Sequence, residues 1–481
     1  MAKNGSFMSD AVKLTASKVI ANGLMLVSAM LLARIRTLEE NGTYSQLMLV
    51  INLAAAIFML GLPNSINYFL AKANTREDQN YFLSVYYTLS TLLSLVLGVT
   101  LVLLIPGWEA YFKNSDIRQY LFFLLLFPWT KVVMSSVENV LLILKKATVL
   151  MVYRILNCVL LLAIIFLIWL TDGSFKMYMI LYTAVEGAFA IAVYVMVARY
   201  TGRLRFCLDK QTIKKIFTFS VPIGLASIVG TLNIELDKLM IGRLMTTEEL
   251  AIYTNASKEM PVTLIATSLT AVLMPRMVKA FDQKDNEGAI ALWRDATALS
   301  YALIVFFGIG LATFSKEAMT ILYSEKYAPG VAVFAIYSIG LLLKCTYFGM
   351  VLNTTGHTKM VLFCSIGSLV MNVILNVVLF RLTGITGPAL ATVLSGLTMQ
   401  MLQLAFSSSI TGVSFRKIFP WKEILLLTLL NCVLALVFGL VHRNLLPGLW
   451  TAVALAAGWG IVYLYVIKKK ISLWWLRLNQ Y

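Results

Sequence analysis

Long apolar runs, each about as long as a bilayer is thick, follow one another through almost the whole chain. The clearest run extends from Tyr81 to Trp108 and contains no Asp, Glu, Lys or Arg, and about 20 apolar residues are enough for a helix to cross the hydrocarbon core. A second charge-free run extends from Ile155 to Thr171. The pattern predicts an all-α, polytopic membrane protein.

Hydropathy along the chain predicts about fourteen transmembrane helices, which we number spans 1 to 14. They are expected at residues 14–33, 44–70, 81–106, 120–141, 149–170, 178–198, 216–239, 250–275, 297–314, 331–352, 360–380, 386–408, 423–441 and 449–467. Span 1 is expected to stay uncleaved, because no small-residue cleavage site follows Met25–Leu32.

Charged residues are few and lie mainly in the links between spans. Of the 481 residues, 59% are hydrophobic and 13% are charged, against about 25% charged in soluble proteins. A net charge of +17 would suggest nucleic acid as the partner of a soluble protein. Here the cations separate apolar runs, which indicates membrane topology instead, and no nucleic-acid partner is predicted.

The distribution of Lys and Arg predicts the orientation. With both termini in the cytoplasm, 24 of the 40 cations fall in inner links, 10 in outer links and 6 inside spans. This positive-inside bias predicts cytoplasmic termini, including Lys3 and Lys13 on the inner side, and supports an even number of spans.

A weak internal duplication relates the two halves of the chain. Three short matches carry it: Glu39–Tyr44 with Glu248–Tyr253, Leu62–Pro63 with Met274–Pro275, and Leu170–Thr171 with Leu382–Thr383. The repeat predicts six-helix lobes at 1–205 and 206–412 and an extra helix pair at 413–481. Repeats of equal orientation are expected in a pseudo-twofold arrangement with a substrate site between them; chance similarity in apolar sequence is the alternative.

Eleven charged residues lie inside predicted spans, where a charge is costly and usually faces a bundle interior or a wet cavity. The cations are Lys18, Lys131, Arg154, Lys238, Lys258 and Lys344, and the acids are Glu138, Glu186, Glu235, Asp237 and Glu259. We predict a substrate cavity lined by Lys18, Lys131, Lys258 and Lys344 with the amides of Asn255 and Asn353. Such a cavity suits an anionic substrate such as a pyrophosphate.

Each assignment has a structural alternative. Lys131 and Glu138 lie two turns apart on one helix face and are expected to face one interior, unless each pairs with a neighbouring helix. Arg154 is interpreted as a snorkelling anchor near the inner end of span 5. The amides also serve as interhelical hydrogen-bonding groups.

The five acids are the candidates for binding a coupling ion, H⁺ or Na⁺. Glu235 and Asp237 are expected at the outer end of span 7, where a solvated helix end is the alternative. In a regular helix, Lys258 and Glu259 diverge by about 100°, so only one of them is expected to line the path. Pro261 favours a kink nearby, as does Pro222 in span 7.

No catalytic or metal-binding pattern is present in the sequence. Walker A, HExxH and GxSxG motifs are all missing, the five cysteines show no CxxC spacing, and the two histidines are far apart. We therefore predict a protein that is not an enzyme and carries no cofactor or metal. Its energy would come from an ion gradient or from the gradient of its substrate.

With this layout, the chain resembles the polysaccharide flippases, the O-antigen and exopolysaccharide branch of the multidrug/oligosaccharidyl-lipid/polysaccharide exporter superfamily. The resemblance extends over the whole chain and depends on the order of several weak motifs. These are Gly61–Pro63 closing span 2, Phe219–Ile223 in span 7, Asp237–Tyr253 with Gly242 and Glu249, and Thr355–Lys359 between spans 10 and 11.

The resemblance implies a flippase of the bacterial inner membrane. It would move an undecaprenyl-pyrophosphate-linked oligosaccharide to the outer face by alternating access, for surface polysaccharide assembly. The implied partners are the lipid-linked oligosaccharide, membrane lipids, a coupling ion, and a polysaccharide polymerase with its chain-length proteins. Spans 13 and 14 would flank a groove for the polyprenyl tail.

Two other functions stay open at this point. An ion-coupled drug exporter of the same superfamily would need an acid-rich cavity. A membrane polysaccharide polymerase or ligase would need polar residues gathered at one membrane face, and the longest outer link, 106–119, is short for that purpose.

Overall fold

The chain is described by a computed structural model that covers residues 2–480, with only the backbone described for residues 2–15, 271, 479 and 480. The side chains of Lys3 and Lys13, which the topology prediction places on the inner side, lie outside the described set. Among the described residues, fourteen helices are long and apolar enough to cross a membrane. The predicted all-α, polytopic architecture is confirmed.

The chain divides into two compact units, Met1–Ala251 and Ile252–Tyr481. The helices of the first unit are α1 (Ala2–Ile35), α2 (Leu38–Met59), α3 (Leu62–Lys72), α4 (Arg76–Leu103), α5 (Ile105–Phe112), α6 (Leu121–Ile143), α7 (Ala147–Leu170), α8 (Phe175–Thr201) and α9 (Lys210–Leu244), with α10 (Thr247–Ala256) at the division.

The second unit contains α11 (Leu264–Asp282), α12 (Asn286–Thr313), α13 (Ser315–Tyr323), α14 (Val331–Gly340), α15 (Met350–Thr354), α16 (Thr358–Thr383), α17 (Thr386–Thr411), α18 (Phe415–Ile418), α19 (Trp421–Asn444) and α20 (Leu449–Gln480). Short 3-10 helices cover Ser115–Tyr120, Pro261–Thr263, Glu325–Gly330 and Leu341–Lys344.

The order of elements occurs twice along the chain at an offset of about 210 residues. A short helix, a 3-10 turn and a longer helix begin at Ile105, Ser115 and Leu121, and the same series begins at Ser315, Glu325 and Val331. The duplicated acidic motif has one local role in both copies, a capping box at a helix start. In the first copy Thr37 and Glu40 exchange hydrogen bonds of 3.1 Å, and in the second Thr246 and Glu249 exchange bonds of 2.9 and 3.2 Å.

Helix α9 belongs to the first compact unit, although the sequence repeat assigns it to the second lobe. Its Gly224 lies against the break between α2 and α3, where a Cβ on Gly224 would come within 2.2 Å of the Leu60 carbonyl carbon. Backbones approach this closely only where a side chain is missing. The lobe boundary at 205/206 marks where the sequence duplication begins again and stays a prediction. The compact units are defined by which helices pack together, and they divide at a different place.

The start of α9 is fixed by its N-cap. The Asp209 carboxylate accepts hydrogen bonds from the backbone N–H groups of Gln211, at 3.4 Å, and Thr212, at 2.8 Å. Hydrogen bonding to the Thr212 side chain and backbone lowers the pKa of Asp209 from its ordinary value. The helix then continues without interruption through Pro222 to Leu244.

Span 2, predicted as one helix over 44–70, is two helices. The chain turns at Leu60 and Gly61, which have φ values of 40° and 73°, and Pro63 follows in the first turn of α3. A left-handed conformation ends a helix, costs a non-glycine residue energy, and suits glycine.

The extra helix pair packs into the second unit through a polar and aromatic seam. Trp459 on α20 donates to the Asn431 side chain on α19 at 3.2 Å, and the hydroxyl of Tyr463 donates to the Ala302 carbonyl on α12 at 2.7 Å. These side chains are buried. Large apolar residues such as Leu436 and Ile461 stay exposed on the same helices, as expected where a helix faces lipid.

Candidate functional site

In the first unit, one polar chain joins three helices. Lys131 on α6 donates to the side-chain oxygen of Asn52 on α2. The amide of Asn52 donates to Glu235 on α9 at 2.9 Å, and the other oxygen of Glu235 pairs with Lys238 at 2.8 Å. One carboxylate therefore lies between two ammonium groups, with an amide as the relay.

Glu235 and Asp237 are not at a solvated helix end. The sequence predicts that span 7 ends near residue 239, but the helix is longer than that. Helix α9 continues to Leu244, and both acids are buried, Asp237 with only 1% of its surface exposed. The i, i+3 ion pair of Glu235 with Lys238 is therefore inside the unit, where it is weakly screened.

Glu138 on α6 holds two cations from different helices. Lys18 on α1 pairs with one oxygen at 2.7 Å, and Arg154 on α7 pairs with the other. The interpretation of Arg154 as a snorkelling anchor is wrong, because its guanidinium turns inward to this carboxylate and is 17% exposed. Lys131, two turns away on α6, bonds to Asn52 instead.

Glu186 has a different environment from the other predicted acids. It lies near the middle of α8, is 7% exposed, and accepts a hydrogen bond of 3.0 Å from the Asn157 amide on α7. Tyr44, Tyr153 and Tyr182 lie near enough to interact with it electrostatically. Within the described part of the chain, no Lys or Arg forms an ion pair with Glu186.

In the second unit, the predicted site residues lie at two interruptions of the helices. Span 8 is not one helix: α10 ends at Ala256, residues 257–260 are not helical, and Pro261 begins a 3-10 turn. The kink predicted at Pro261 is confirmed. Lys258 and Glu259 lie in the unwound segment, so the angular argument for a regular helix does not apply to them.

Span 10 is interrupted as well. Its helix α14 ends at Gly340, a 3-10 turn ends at Lys344, and residues 345–349 are not helical. Other helices anchor this interruption: Gln400 donates to the Leu343 carbonyl in the 3-10 turn at 2.8 Å, and Trp293 donates to the Thr346 hydroxyl in the unwound segment at 2.9 Å. Unwound backbone at membrane depth is tolerated where protein or a water-lined cavity satisfies it.

An ion pair joins the two interruptions. The ammonium of Lys344 lies 3.1 Å from a carboxylate oxygen of Glu259. Lys258, the neighbour of Glu259, donates to the buried side-chain oxygen of Asn255 at 2.8 Å. Farther along span 10, the Asn353 amide donates to the hydroxyl of Tyr347 at 2.8 Å.

The charged residues inside the spans therefore include nearly as many acids as cations, whereas a cationic cavity requires an excess of cations. In the first unit, the predicted set has four cations and four acids, and Lys18, Arg154 and Lys238 are paired directly with carboxylates. In the second unit, the predicted set has two cations and one acid: Lys344 pairs with Glu259, and Lys258 donates to Asn255. Each of the four lysines predicted to line the cavity forms a hydrogen bond or an ion pair within its own unit. That they line a common cavity stays a prediction.

Some of the residues that complete these contacts carried no charge to mark them in the sequence. Asn157, the hydrogen-bond donor to Glu186, lies in the charge-free run Ile155–Thr171, where an amide is itself a signal of an interhelical contact. Tyr347 had no such signal. Among the described residues, no group of three or more His, Cys, Asp or Glu side chains could hold a metal ion.

A multi-span helical protein with charged residues at interrupted helices has the construction of a membrane transporter. The chain belongs to the family of polysaccharide biosynthesis proteins, whose model matches residues 31–332. The resemblance to polysaccharide flippases inferred from the motifs is confirmed.

Similar proteins agree with this family. A probable low-salt glycan biosynthesis flippase, Agl15 of Haloferax volcanii, is 24% identical over 206 residues, which are 42% of this chain and 44% of the relative. The chain spans about half the length of the curated relatives that it matches.

Solved structures share the fold at low sequence identity. The lipid II flippase MurJ in an inward closed conformation superposes with a TM-score of 0.73 at 15% identity, over 96% of this chain and 100% of that one. An inward-facing multidrug resistance transporter of the MATE family superposes with a TM-score of 0.65 at 15% identity, over 85% and 99% of the two chains. At such identities the likeness concerns the fold alone.

Proposed function

We propose that this protein is a flippase that moves a lipid-linked oligosaccharide, carried on undecaprenyl pyrophosphate, across the bacterial inner membrane by alternating access. The observation that carries the proposal is the placement of Lys258, Glu259 and Lys344 at two interrupted spans of a polysaccharide biosynthesis protein. Interrupted spans with polar groups are the usual construction of a transport site at membrane depth.

The chemistry of the predicted site residues suits such a substrate. Ammonium groups bind phosphate oxygens through charge-assisted hydrogen bonds. The amides of Asn255 and Asn353 can donate to and accept from sugar hydroxyls. A lipid tail that stays in the bilayer would meet the exposed apolar faces of the helices, while polar groups replace the hydration of the headgroup.

Coupling to an ion is part of the proposal. Glu186 is the best of the five acid candidates, because its buried carboxyl group has an amide donor but, among the described residues, no ion-pair partner, so that a proton or a cation could neutralise it. Each of the remaining candidates would have to give up a contact that it already makes in order to bind the coupling ion. These are Glu138, Glu235, Asp237 and Glu259. A polysaccharide polymerase and chain-length proteins remain the expected protein partners.

A drug exporter of the same superfamily is the second candidate. The observation that favours it is the equal number of acids and cations at membrane depth in the first unit, since acids suit cationic drugs. The MATE-like fold is common to both activities. A polymerase or ligase has no comparable support, because the relatives named above are flippases and transporters.

A complementation experiment tests the proposal. In a strain lacking this gene, the wild-type chain is expected to restore surface polysaccharide, and Gln in place of Lys18, Lys131, Lys258 or Lys344 is expected to reduce it while the protein still accumulates. Lys145→Gln, in a link between helices, is the matched control and should retain export. Normal polysaccharide in the deletion strain, with a loss of resistance to cationic dyes, would favour the drug exporter.

A further inference from the structure

The ion pair between Lys344 and Glu259 joins the unwound segment of span 8 to the end of the 3-10 turn in span 10. Its atoms are 3.1 Å apart, and the two side chains are 50% and 55% exposed. Glu259 lies in an unwound segment and Lys344 is the last residue of a 3-10 turn, so neither side chain projects from the face of an α-helix. The pair is therefore accessible and lies outside the α-helices.

Stability does not account for this pair. An ion pair between half-exposed side chains contributes little to folding, commonly less than about 1 kcal/mol. Charged groups inside a membrane span are nevertheless costly to insert. A costly intramembrane pair with a small structural benefit is a candidate functional site.

The neighbouring charge makes the junction suitable for an anion. Lys258 precedes Glu259 and bonds to the neutral side chain of Asn255 at 2.8 Å. The junction thus carries two ammonium groups and one carboxylate. If Glu259 released Lys344, an incoming anion would meet a cation whose chain neighbours are anchored, because Gln400 donates to the Leu343 carbonyl and Trp293 to the Thr346 hydroxyl.

We propose that Lys344 binds a phosphate group of the transported molecule, and that the Glu259 carboxylate is the internal anion which this phosphate displaces. The proposal depends on the proposed function and names the subsite for the charged part of the substrate. In the empty state, Glu259 neutralises Lys344. In the loaded state, the phosphate binds the Lys344 ammonium in place of Glu259. When Glu259 pairs with Lys344 again, release of the phosphate is favoured.

The mechanism predicts effects of opposite sign for the two members of the pair. Lys344→Gln removes the binding cation, so affinity for inorganic pyrophosphate should fall about tenfold or more, as expected for the loss of a charge-assisted hydrogen bond. Glu259→Gln removes the competing anion, so affinity should rise several-fold. A pair with only a structural role would lose affinity in both variants or change it in neither.

Binding is measured by calorimetry on the purified full-length protein, with inorganic pyrophosphate as the probe. The control is the ion pair of Arg477 with Asp295, at 3.5 Å in the same unit, whose Gln and Asn variants should bind as the wild type does. Melting temperatures of all variants verify that the proteins are folded. Weaker binding by the Glu259→Gln variant, or wild-type binding by the Lys344→Gln variant, would overturn the proposal.

Two sources of phosphate are then distinguished. Farnesyl pyrophosphate is offered to the protein in nanodiscs of phosphatidylcholine, and separately in nanodiscs that contain phosphatidylglycerol. Competition by phosphatidylglycerol that is lost in the Lys344→Gln variant would identify a phospholipid headgroup as a ligand of the same subsite. If the wild-type chain restores export but pyrophosphate binding is the same in all variants, the proposed flippase function stands and only this subsite is rejected.

Discussion

At the scale of residues, the charges inside the spans are organised as pairs and relays. Glu138 is shared by Lys18 and Arg154, and Glu235 contacts Lys238 and, through Asn52, Lys131. Pairing lowers the cost of holding a charge away from water. Any substrate that binds these cations must therefore compete with the carboxylates that already hold them.

The two acids Glu138 and Glu186 should respond differently to removal of their charge. Glu138→Gln leaves Lys18 and Arg154 without their carboxylate and should lower stability by about 1–3 kcal/mol, between the values for exposed and buried pairs. Glu186→Gln retains an oxygen that can accept from Asn157, so its melting temperature should stay close to that of the wild type.

Export measured with and without an ionophore then separates stability from coupling. The Glu186→Gln variant is expected to accumulate normally but to lose the dependence of export on the ion gradient. If this variant retained full gradient-dependent export, Glu186 would not be the coupling acid.

The identity of the charged residues was readable from the sequence, but their partners were not. A Lys or Glu in an apolar run is conspicuous by itself. Whether Arg154 snorkels or pairs depends on a carboxylate sixteen positions earlier, on a neighbouring helix. The direction of each side chain is set by how the helices pack, which hydropathy does not report.

At the scale of elements, breaks in the helices locate the special features of each unit. The break at Leu60 and Gly61 receives Gly224 of α9, and the breaks in spans 8 and 10 carry Lys258, Glu259 and Lys344. A proline signalled the interruption of span 8. Span 10 has no proline inside its unwound segment, and its break is stabilised by hydrogen bonds from other helices.

The contact between Gly224 and Leu60 gives a stability prediction. A methyl group on Gly224 would lie 2.2 Å from a backbone carbon, so α9 must shift, and Gly224→Ala should destabilise the first unit by about 1–3 kcal/mol or more. Gly230 on the same helix has open space around its Cβ position, and Gly230→Ala is the matched control.

Both variants are compared by the amount of protein in the membrane and by the melting temperature after purification. Gly230→Ala should match the wild type. Equal behaviour of the two variants would mean that the close backbone approach at Gly224 is not required for the fold.

At the scale of the whole molecule, topology is the property that the proposed transport depends on. The positive-inside bias predicts cytoplasmic termini, and the fourteen candidate spans found in the described chain agree with an even count. Fusions to a reporter that is active only in the cytoplasm should be active after Gly412 and after Gln480. A fusion at Pro447, between α19 and α20, should be inactive.

The same fusions to a reporter active only outside the cytoplasm serve as the control and should give the reverse pattern. Activity of the cytoplasmic reporter at Pro447 would mean that α19 and α20 do not cross the membrane in opposite directions. The assignment of inner and outer links would then have to be revised.

The sequence by itself determined the class of this protein, because membrane insertion depends on local properties: the length of each apolar run, the few charges within it and the cations between runs. It also indicated the duplication and the family. The proline at position 261 signalled the break in span 8. Only the tertiary structure decided that α9 packs in the first unit, that spans 2 and 10 are broken, and that Glu259 pairs with Lys344. Those outcomes depend on contacts between residues far apart in the chain, and no local pattern contains them.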